Sequence, residues 1–222
     1  MKSTLLACAA SLAGALFTAA GAQTPPAPAP GFNAGDFVVR VGAGAVLPEN
    51  AGSGVSLIGG SVHVNDGFSP EVDISYFFSD HFSAQLIAAS TRHEIYVANS
   101  ALAPRLDIAS TYVLPPAITI QYHPFPHEQL SPYVGLGLDV AFFYDTNPNH
   151  GPIDKIRLSN NASPVFDVGV DYNIYGPFFL NLDFKEILLR TDANIVALGT
   201  VHLQAHTDLF PAVPSFGIEY KF

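Results

Sequence analysis

The amino-acid sequence predicts an all-β protein, an eight-stranded antiparallel transmembrane β-barrel with short periplasmic turns and four long extracellular loops. Eight segments alternate apolar and polar residues, which is typical of strands with one apolar and one polar face. Short and long connections alternate along the chain, as in bacterial outer-membrane barrels. The last strand ends the chain, with an apolar residue at every second position: Phe216, Ile218, Tyr220 and Phe222.

The first 22 residues have the features of a secretory signal peptide. Lys2 precedes an apolar stretch, and Ala20-Gly21-Ala22 lies before Gln23. We expect residues 1–22 to be removed, residues 23–34 to form a proline-rich periplasmic N-terminal tail, and residues 35–222 to form the barrel. Cys8 leaves with the signal peptide, so the mature chain is predicted to have no disulfide.

The strands follow in order, and the polar phase of each identifies its inward side. In the first strand, Asp36 and Arg40 lie on the polar phase. The tight turn at residues 79–81 joins the second strand to the third. From the fifth strand on, the alternation continues without a slip over residues 134–142, 166–174 and 178–184. The predicted strands are 36–48, 69–79, 82–92, 111–125, 132–145, 164–175, 178–190 and 211–222. The predicted long loops are 49–68, 93–110, 146–163 and 191–210.

Aromatic residues cluster at the short-turn end of the predicted strands. Such clusters are typical of the girdles at membrane interfaces, although aromatic residues also fill the cores of soluble β-proteins. The predicted periplasmic girdle contains Phe77, Phe78, Phe82, Tyr122, Phe125, Tyr133, Tyr175, Phe178, Phe179 and Phe222. Phe142, Phe143 and Tyr144 are assigned to the outer girdle.

Composition excludes several classes of protein. No stretch after the signal peptide reaches the about 18 consecutive apolar residues of a transmembrane helix. The formal net charge of −10 argues against a nucleic-acid partner. No glycine loop of the phosphate-binding kind follows a strand and opens a helix, and we expect neither a cofactor nor a metal.

Two layers are predicted inside the barrel. Near the short turns, opposite charges should pair and form a polar floor that fills the lumen. Its predicted members are Asp36, Arg40, Asp171, Asp183, Glu219 and Lys221. Near the long loops the inward phase becomes apolar, which predicts a hydrophobic lumen for a small molecule or, alternatively, strand ends that pack on each other. Its predicted members are Val46, Ile87, Ala89, Val113, Ala141, Phe143, Val165, Ile187 and Leu189.

Leu114-Pro115-Pro116 is unusual within a predicted strand. Proline cannot donate a ladder hydrogen bond, so pairing with one neighbour must break here. In lipid such a break is tolerated where it lines a cavity. We interpret these residues as a lateral opening from the lumen to the membrane, or else as the ragged start of the strand.

Several motifs together resemble the OmpW family over nearly the whole mature chain. They are Gly35-Asp36-Phe37-Val38-Val39-Arg40-Val41-Gly42, Leu114-Pro115-Pro116 with Gln121-Tyr122-His123, Pro132-Tyr133-Val134-Gly135-Leu136-Gly137, and Phe179-Leu180-Asn181-Leu182-Asp183. The resemblance implies an outer-membrane barrel that passes small hydrophobic molecules through its lumen and a lateral opening. The implied partners are outer-membrane lipids and lipopolysaccharide, the barrel-assembly machinery through Phe222, and a small hydrophobic ligand, with the barrel a monomer.

Other functions remain open at this point. His81-Phe82-Ser83 matches the His-x-Ser pair of outer-membrane lipid A deacylases, but it lies at the short-turn end, away from that substrate. His202 and His206 have the spacing of a helical metal pair, with an ordinary loop as the default interpretation. A structural or adhesive barrel, whose loops bind phage, toxin or host surfaces, would use the same eight strands.

Overall fold

The computed structural model describes residues 31–55, 59–101, 103–148, 153–158, 160–197 and 201–222, and only the backbone at 50–55, 153–158, 190–197 and 201–209. In these ranges the secondary structure consists of fifteen strands. They are β1 Phe37–Val46, β2 Asn50–Val55, β3 Ser61–Val64, β4 Gly67–Ser79, β5 Phe82–Ala89, β6 Thr91–Ala98, β7 Arg105–Leu114, β8 Ala117–Tyr122, β9 Leu130–Pro148, β10 Ile153–Leu158, β11 Asn161–Tyr175, β12 Phe178–Ile187, β13 Leu189–Ala197, β14 Val201–Leu209 and β15 Ala212–Lys221.

Eight of these strands close into an antiparallel barrel. The order is β1, β4, β5, β8, β9, β11, β12 and β15, and β15 pairs again with β1. The register opposes Val41 to Ile218 in the closing pair and Val168 to Val134 between β11 and β9. The predicted fold class is confirmed. No helix in the described ranges is long and apolar enough to cross a membrane.

The predicted long loops contain strands, which is a correction to the sequence-based boundaries. One extension of the wall joins β3, β6 and β7 to the distal part of β9, and a four-stranded sheet contains β10, β13, β14 and β2. A strand outside the bilayer has no need of an apolar outer face, so the two-residue period is weak there. The predicted strands at 82–92, 111–125 and 178–190 are each divided in two by these boundaries.

The outer surface of the barrel is apolar, as a lipid-facing surface requires. Leu136 and Ile218, in the middle of their strands, are 62% and 58% exposed. Alternation explains a correction to the predicted girdles, because neighbouring aromatic residues must face opposite sides of the sheet. Phe78, Phe82, Tyr122, Phe125, Tyr175, Phe178 and Phe222 are exposed, whereas Phe77, Tyr133 and Phe179 are buried in the lumen and Phe143 packs against the inner cluster.

Candidate functional site

The half of the lumen farther from the short turns contains an apolar cavity of about 120 Å³. Small residues such as Gly44 and Ala141 on the inward phase leave this space unfilled. The nine positions predicted for a hydrophobic lumen come together here. Val165 belongs to the buried cluster at this level, and the others line the cavity: Val46, Ile87, Ala89, Val113, Ala141, Phe143, Ile187 and Leu189.

The barrel wall beside the cavity contains a stretch without ladder pairing. β5 pairs with β8 as far as Ile87 and Ala117, and pairing resumes between β6 and β7 at Thr91 and Val113. Between these pairs three residues of each chain segment, 88–90 and 114–116, have no ladder partner across the interface; all lie in the described ranges. We call these two segments the wall gap.

Leu114, Pro115 and Pro116, the residues predicted for a lateral opening, form one side of the wall gap. On its other side this segment stays hydrogen-bonded to β9, because the N–H of Val140 donates to the carbonyl of Pro116 at 3.1 Å. Pro115 also lines the cavity, so the cavity and the wall gap adjoin. The prolines therefore interrupt pairing on one side of the strand, since they have no N–H to donate.

On the opposite side of the wall gap, the backbone N–H and carbonyl of Ser90 both bond to the side chain of Ser69 on β4. Ser69 Oγ donates to the carbonyl of Ser90 at 2.8 Å and accepts from the N–H of Ser90 at 3.1 Å. The hydroxyl of Ser90 lies 2.6 Å from that of Tyr144. Unpaired backbone groups are costly in hydrocarbon, and these contacts satisfy those of Ser90 on the β4 side where the β5 segment ends.

Arg40 is the centre of the polar floor below the cavity. Its guanidinium group contacts Asp73 through Nε, Asn181 through Nη1, and Glu71 through Nη2 at 3.0 Å. Gly217 on the neighbouring strand leaves room for it, because a Cβ added there would lie 2.8 Å from Arg40 Cγ. Arg40 thus joins charged groups of β4 to an amide of β12.

A second set of contacts extends the polar floor across the lumen. The Tyr133 hydroxyl donates to Asp183 at 2.6 Å, and the Asn181 amide donates to Asp171 at 2.6 Å and to Tyr133 at 3.0 Å. Lys185 Nζ donates to Asp183 at 2.6 Å. The floor residues Asp171, Asp183 and Glu219 from the sequence prediction are all buried here. Charged and polar groups therefore fill the lumen at this level.

The end of the barrel below the polar floor is closed by the segment before β1. Gly31, with φ of 84°, accepts a hydrogen bond from Lys221 Nζ at 2.5 Å, and Lys221 also contacts Asp36 at 3.3 Å. Phe32 is 1% exposed and stacks between Phe77 and Phe179, with ring centroids 4.5 and 4.6 Å apart. The predicted tail at residues 23–34 therefore ends inside the lumen, and its residues before 31 lie outside the described ranges.

His123, in the turn after β8, packs against this aromatic group. Burial and the nearby His81 lower the pKa of His123 to about 3, so the ring is neutral at physiological pH. It lies 5.7 Å from the ring of Phe32 and 3.3 Å from the Ser83 hydroxyl. The ring acts here through packing and hydrogen bonds and carries no charge.

His81 and Ser83, which match the deacylase pair in sequence, have different partners in the structure. His81 Nδ1 lies 2.8 Å from the carbonyl of His123, whereas Ser83 is completely buried and donates to Gln121 at 3.0 Å. The neighbouring cavity in the floor measures about 10 Å³, room for no more than about one water. A substrate acyl chain has no access to this serine.

The two histidines that have the spacing of a helical metal pair lie on a strand. His202 and His206 are both in β14, where a separation of four residues corresponds to roughly 13 Å along the strand. Their side chains are outside the described part of the structure. Among the described residues no group of histidines, cysteines and carboxylates is arranged for a metal.

Sequence reasoning missed several residues of the site. Asp139 and His93 line the cavity, and Phe32 closes the lower end. The alternation of apolar and polar residues over 134–142 places Asp139 on the inward side of the strand. This was the sequence signal that could have identified it. Phe32 precedes the first periodic segment, so no pattern in the sequence indicated that it is buried.

Comparison with known proteins identifies the family. The model of the OmpW family matches residues 33–222. The chain belongs to the OmpW family. It is 33% identical to an uncharacterised outer-membrane protein, y4mB, of Sinorhizobium fredii, covering 98% of this chain and 96% of the relative. It is 30% identical to outer membrane protein W of Escherichia coli K12, covering 85% and 89% of the two chains.

The solved structures include a similar outer-membrane protein. The crystal structure of the outer membrane protein OprG from Pseudomonas aeruginosa superposes with a TM-score of 0.79 at 25% identity, covering 86% of this chain and 98% of that one. The protein is therefore an outer-membrane β-barrel of the Gram-negative type, and its apolar outer surface lies in the lipid bilayer.

Proposed function

We propose that this OmpW-family barrel gives small apolar molecules a path across the lipopolysaccharide layer into the outer membrane. Molecules enter the cavity from the extracellular side and leave sideways through the wall gap. The path involves no chemical step and no cofactor. The barrel acts as a monomer, contacts lipopolysaccharide through its long extracellular connections, and is inserted by the barrel-assembly machinery through Phe222.

The observation that carries this proposal is that the apolar cavity and the wall gap share Pro115 and Ala89. Below the cavity, the buried charges around Arg40 and the ring of Phe32 obstruct a downward route. A molecule in the cavity thus has hydrocarbon on one side and a charged layer beneath it. Apolar solutes partition toward the hydrocarbon, which favours lateral exit.

Substitution of Ala141 by arginine tests the path. We expect uptake of radiolabelled octane by whole cells to fall about tenfold, because a charge in the apolar cavity adds a barrier of at least about 1.4 kcal/mol. Uptake is measured against cells that lack the barrel. Ala89→Arg, at the cavity edge, should have the same effect and serves if the first variant assembles poorly.

The matched control is Ala101→Arg, which adds the same charge to an exposed extracellular residue. Its uptake should equal that of the wild type, and gel mobility of unheated samples should show assembled barrels for every variant. Normal uptake by an assembled Ala141→Arg barrel would contradict the path and favour an adhesive role for the loops.

The double substitution Pro115→Val and Pro116→Thr tests the lateral exit. Restored N–H groups allow the ladder across the wall gap to form, and each net hydrogen bond contributes about 1 kcal/mol. We expect slower octane uptake together with increased amide-exchange protection at residues 88–90, which face the prolines across the wall gap and have N–H groups in both proteins. Pro164→Val with Pro214→Thr, two exposed prolines within other strands, provides the control. Unchanged uptake despite new protection would rule out the wall gap as the exit.

A further inference from the structure

Asp139 is a buried carboxylate without a hydrogen-bond partner in the part of the chain that the structure describes. It lies on β9 at the lower end of the apolar cavity and is 1% exposed. Neither of its carboxylate oxygens has a hydrogen-bond partner among the described residues. Its cross-strand neighbours are Ala117, which offers no polar side-chain group, and Ser163. An unsatisfied buried carboxylate is costly, so its presence requires a reason other than stability of the fold.

Other polar residues at the lower end of the cavity are already engaged. Lys185 contacts Asp183 at 2.6 Å and Asp167 at 3.5 Å, and Glu71 contacts Arg40 at 3.0 Å. These contacts belong to the polar floor. Asp139 is thus the carboxylate at this level whose hydrogen-bonding capacity is left for a molecule in the cavity.

Acidic groups outnumber basic ones among the buried side chains of the lumen. Among the described residues, the buried side chains include seven carboxyl groups and three cationic groups, Arg40, Lys185 and Lys221. Each of the three cations is paired with carboxylates other than Asp139. A positively charged end group therefore finds a free carboxyl partner at Asp139, whereas an anionic end group finds each described buried cation already paired.

We propose that Asp139 anchors the polar end of the cargo, which is a small alkyl compound with a hydrogen-bond-donating head, and that a primary ammonium head is preferred over a neutral hydroxyl. This inference rests on the proposed function, because it specifies which apolar molecules the cavity selects. The alkyl part lies among the apolar side chains above, and the head reaches the Asp139 carboxylate. Charge-assisted hydrogen bonds are stronger than neutral ones, which sets the order of preference.

Uptake of four compounds with the same alkyl chain tests the proposal: octylamine, octanol, octanoate and octane. Rates are measured in whole cells, corrected for cells that lack the barrel, and expressed relative to octane. In the wild type we expect octylamine to be favoured over octanol and octanoate to be slowest. Asp139→Val should lower the octylamine-to-octane ratio about tenfold, and Asp139→Asn, which keeps an acceptor oxygen without the charge, should give an intermediate ratio.

The stability of the variants separates an anchor from a structural residue. Asp139→Val and Asp139→Asn should leave the urea midpoint of unfolding unchanged or higher, since a residue that holds the fold together would lose stability on replacement. Asp66→Asn, an exposed acidic residue near the cavity entrance, removes an equal charge outside the lumen and should keep the wild-type ratio.

The outcomes also separate the two proposals. An octylamine-to-octane ratio that is the same in wild type and both Asp139 variants overturns the anchor while octane uptake still supports the path. Octane uptake no faster than in cells without the barrel overturns the path and the anchor together. If Asp139→Val fails to assemble, the octylamine-to-octane uptake ratio of the isosteric variant Asp139→Asn alone tests the anchor.

Discussion

Replacing Arg40 with methionine is expected to lower the free energy of unfolding by about 3–5 kcal/mol. Arg40 is 1% exposed and is the shared partner of Asp73, Glu71 and Asn181. Methionine retains much of the packing of the side chain but leaves two carboxylates without their cation. Urea unfolding of the barrel in lipid vesicles, followed by far-ultraviolet circular dichroism, measures the loss.

Arg105→Met is the matched control for this prediction. Arg105 also contacts a carboxylate, Asp107 at 2.8 Å, but both side chains are 54% exposed in the extracellular extension. Exposed ion pairs typically contribute about 1 kcal/mol or less, so Arg105→Met should have a small effect. Equal losses in the two variants would show that the floor carboxylates do not depend on Arg40.

The barrel was predictable because the bilayer imposes a strict rule on its wall. A strand that crosses hydrocarbon must show apolar residues outward at every second position, and residues 166–174 and 178–184 follow this period without a slip. The same rule located the inward positions, so the residues of the cavity could be named before their neighbours across the lumen were known. Short turns such as Gly176-Pro177 then defined the periplasmic end.

The extracellular strands were not predictable from this period. β6 and β7 lie above the lipid, where both faces can be mixed, and their pairing depends on backbone hydrogen bonds that leave little trace in composition. The inward aromatic residues were missed for a related reason. Phe77 and Phe78 are adjacent, and the girdle interpretation assigned both to lipid although alternation allows only one of them to face outward.

The sequence also could not predict which inward-facing residues contact each other. Alternation placed Arg40, Asp139 and Asp183 inside the lumen, but which charges pair is determined by strand register and barrel stagger. The structure pairs Arg40 with carboxylates of β4, whereas Asp139 has no hydrogen-bond partner among the side chains that the structure describes. This contrast distinguishes a residue of the polar floor from a candidate binding residue, although both are buried acids or bases in an alternating strand.

Phe32→Ala is expected to lower the free energy of unfolding by about 3 kcal/mol or more, as removal of a buried phenylalanine ring generally does. Phe32 stacks between Phe77 and Phe179 at the lower end of the lumen. Its backbone is held as well, since its N–H donates to the Pro126 carbonyl at 2.6 Å. The surrounding strands are fixed by the barrel ladder and cannot collapse into the space left by the ring, so the loss should be large.

Phe125→Ala provides the comparison, because Phe125 lies in a turn at the same end of the barrel and is 58% exposed. Its replacement removes the same atoms from the outer surface and should cost much less than the loss at Phe32. Amide exchange at residues 32–36 supplies a second measurement, and Phe32→Ala should accelerate it while Phe125→Ala leaves it unchanged. Equal stability losses, or unchanged exchange in Phe32→Ala, would show that the ring does not hold the N-terminal segment in the lumen.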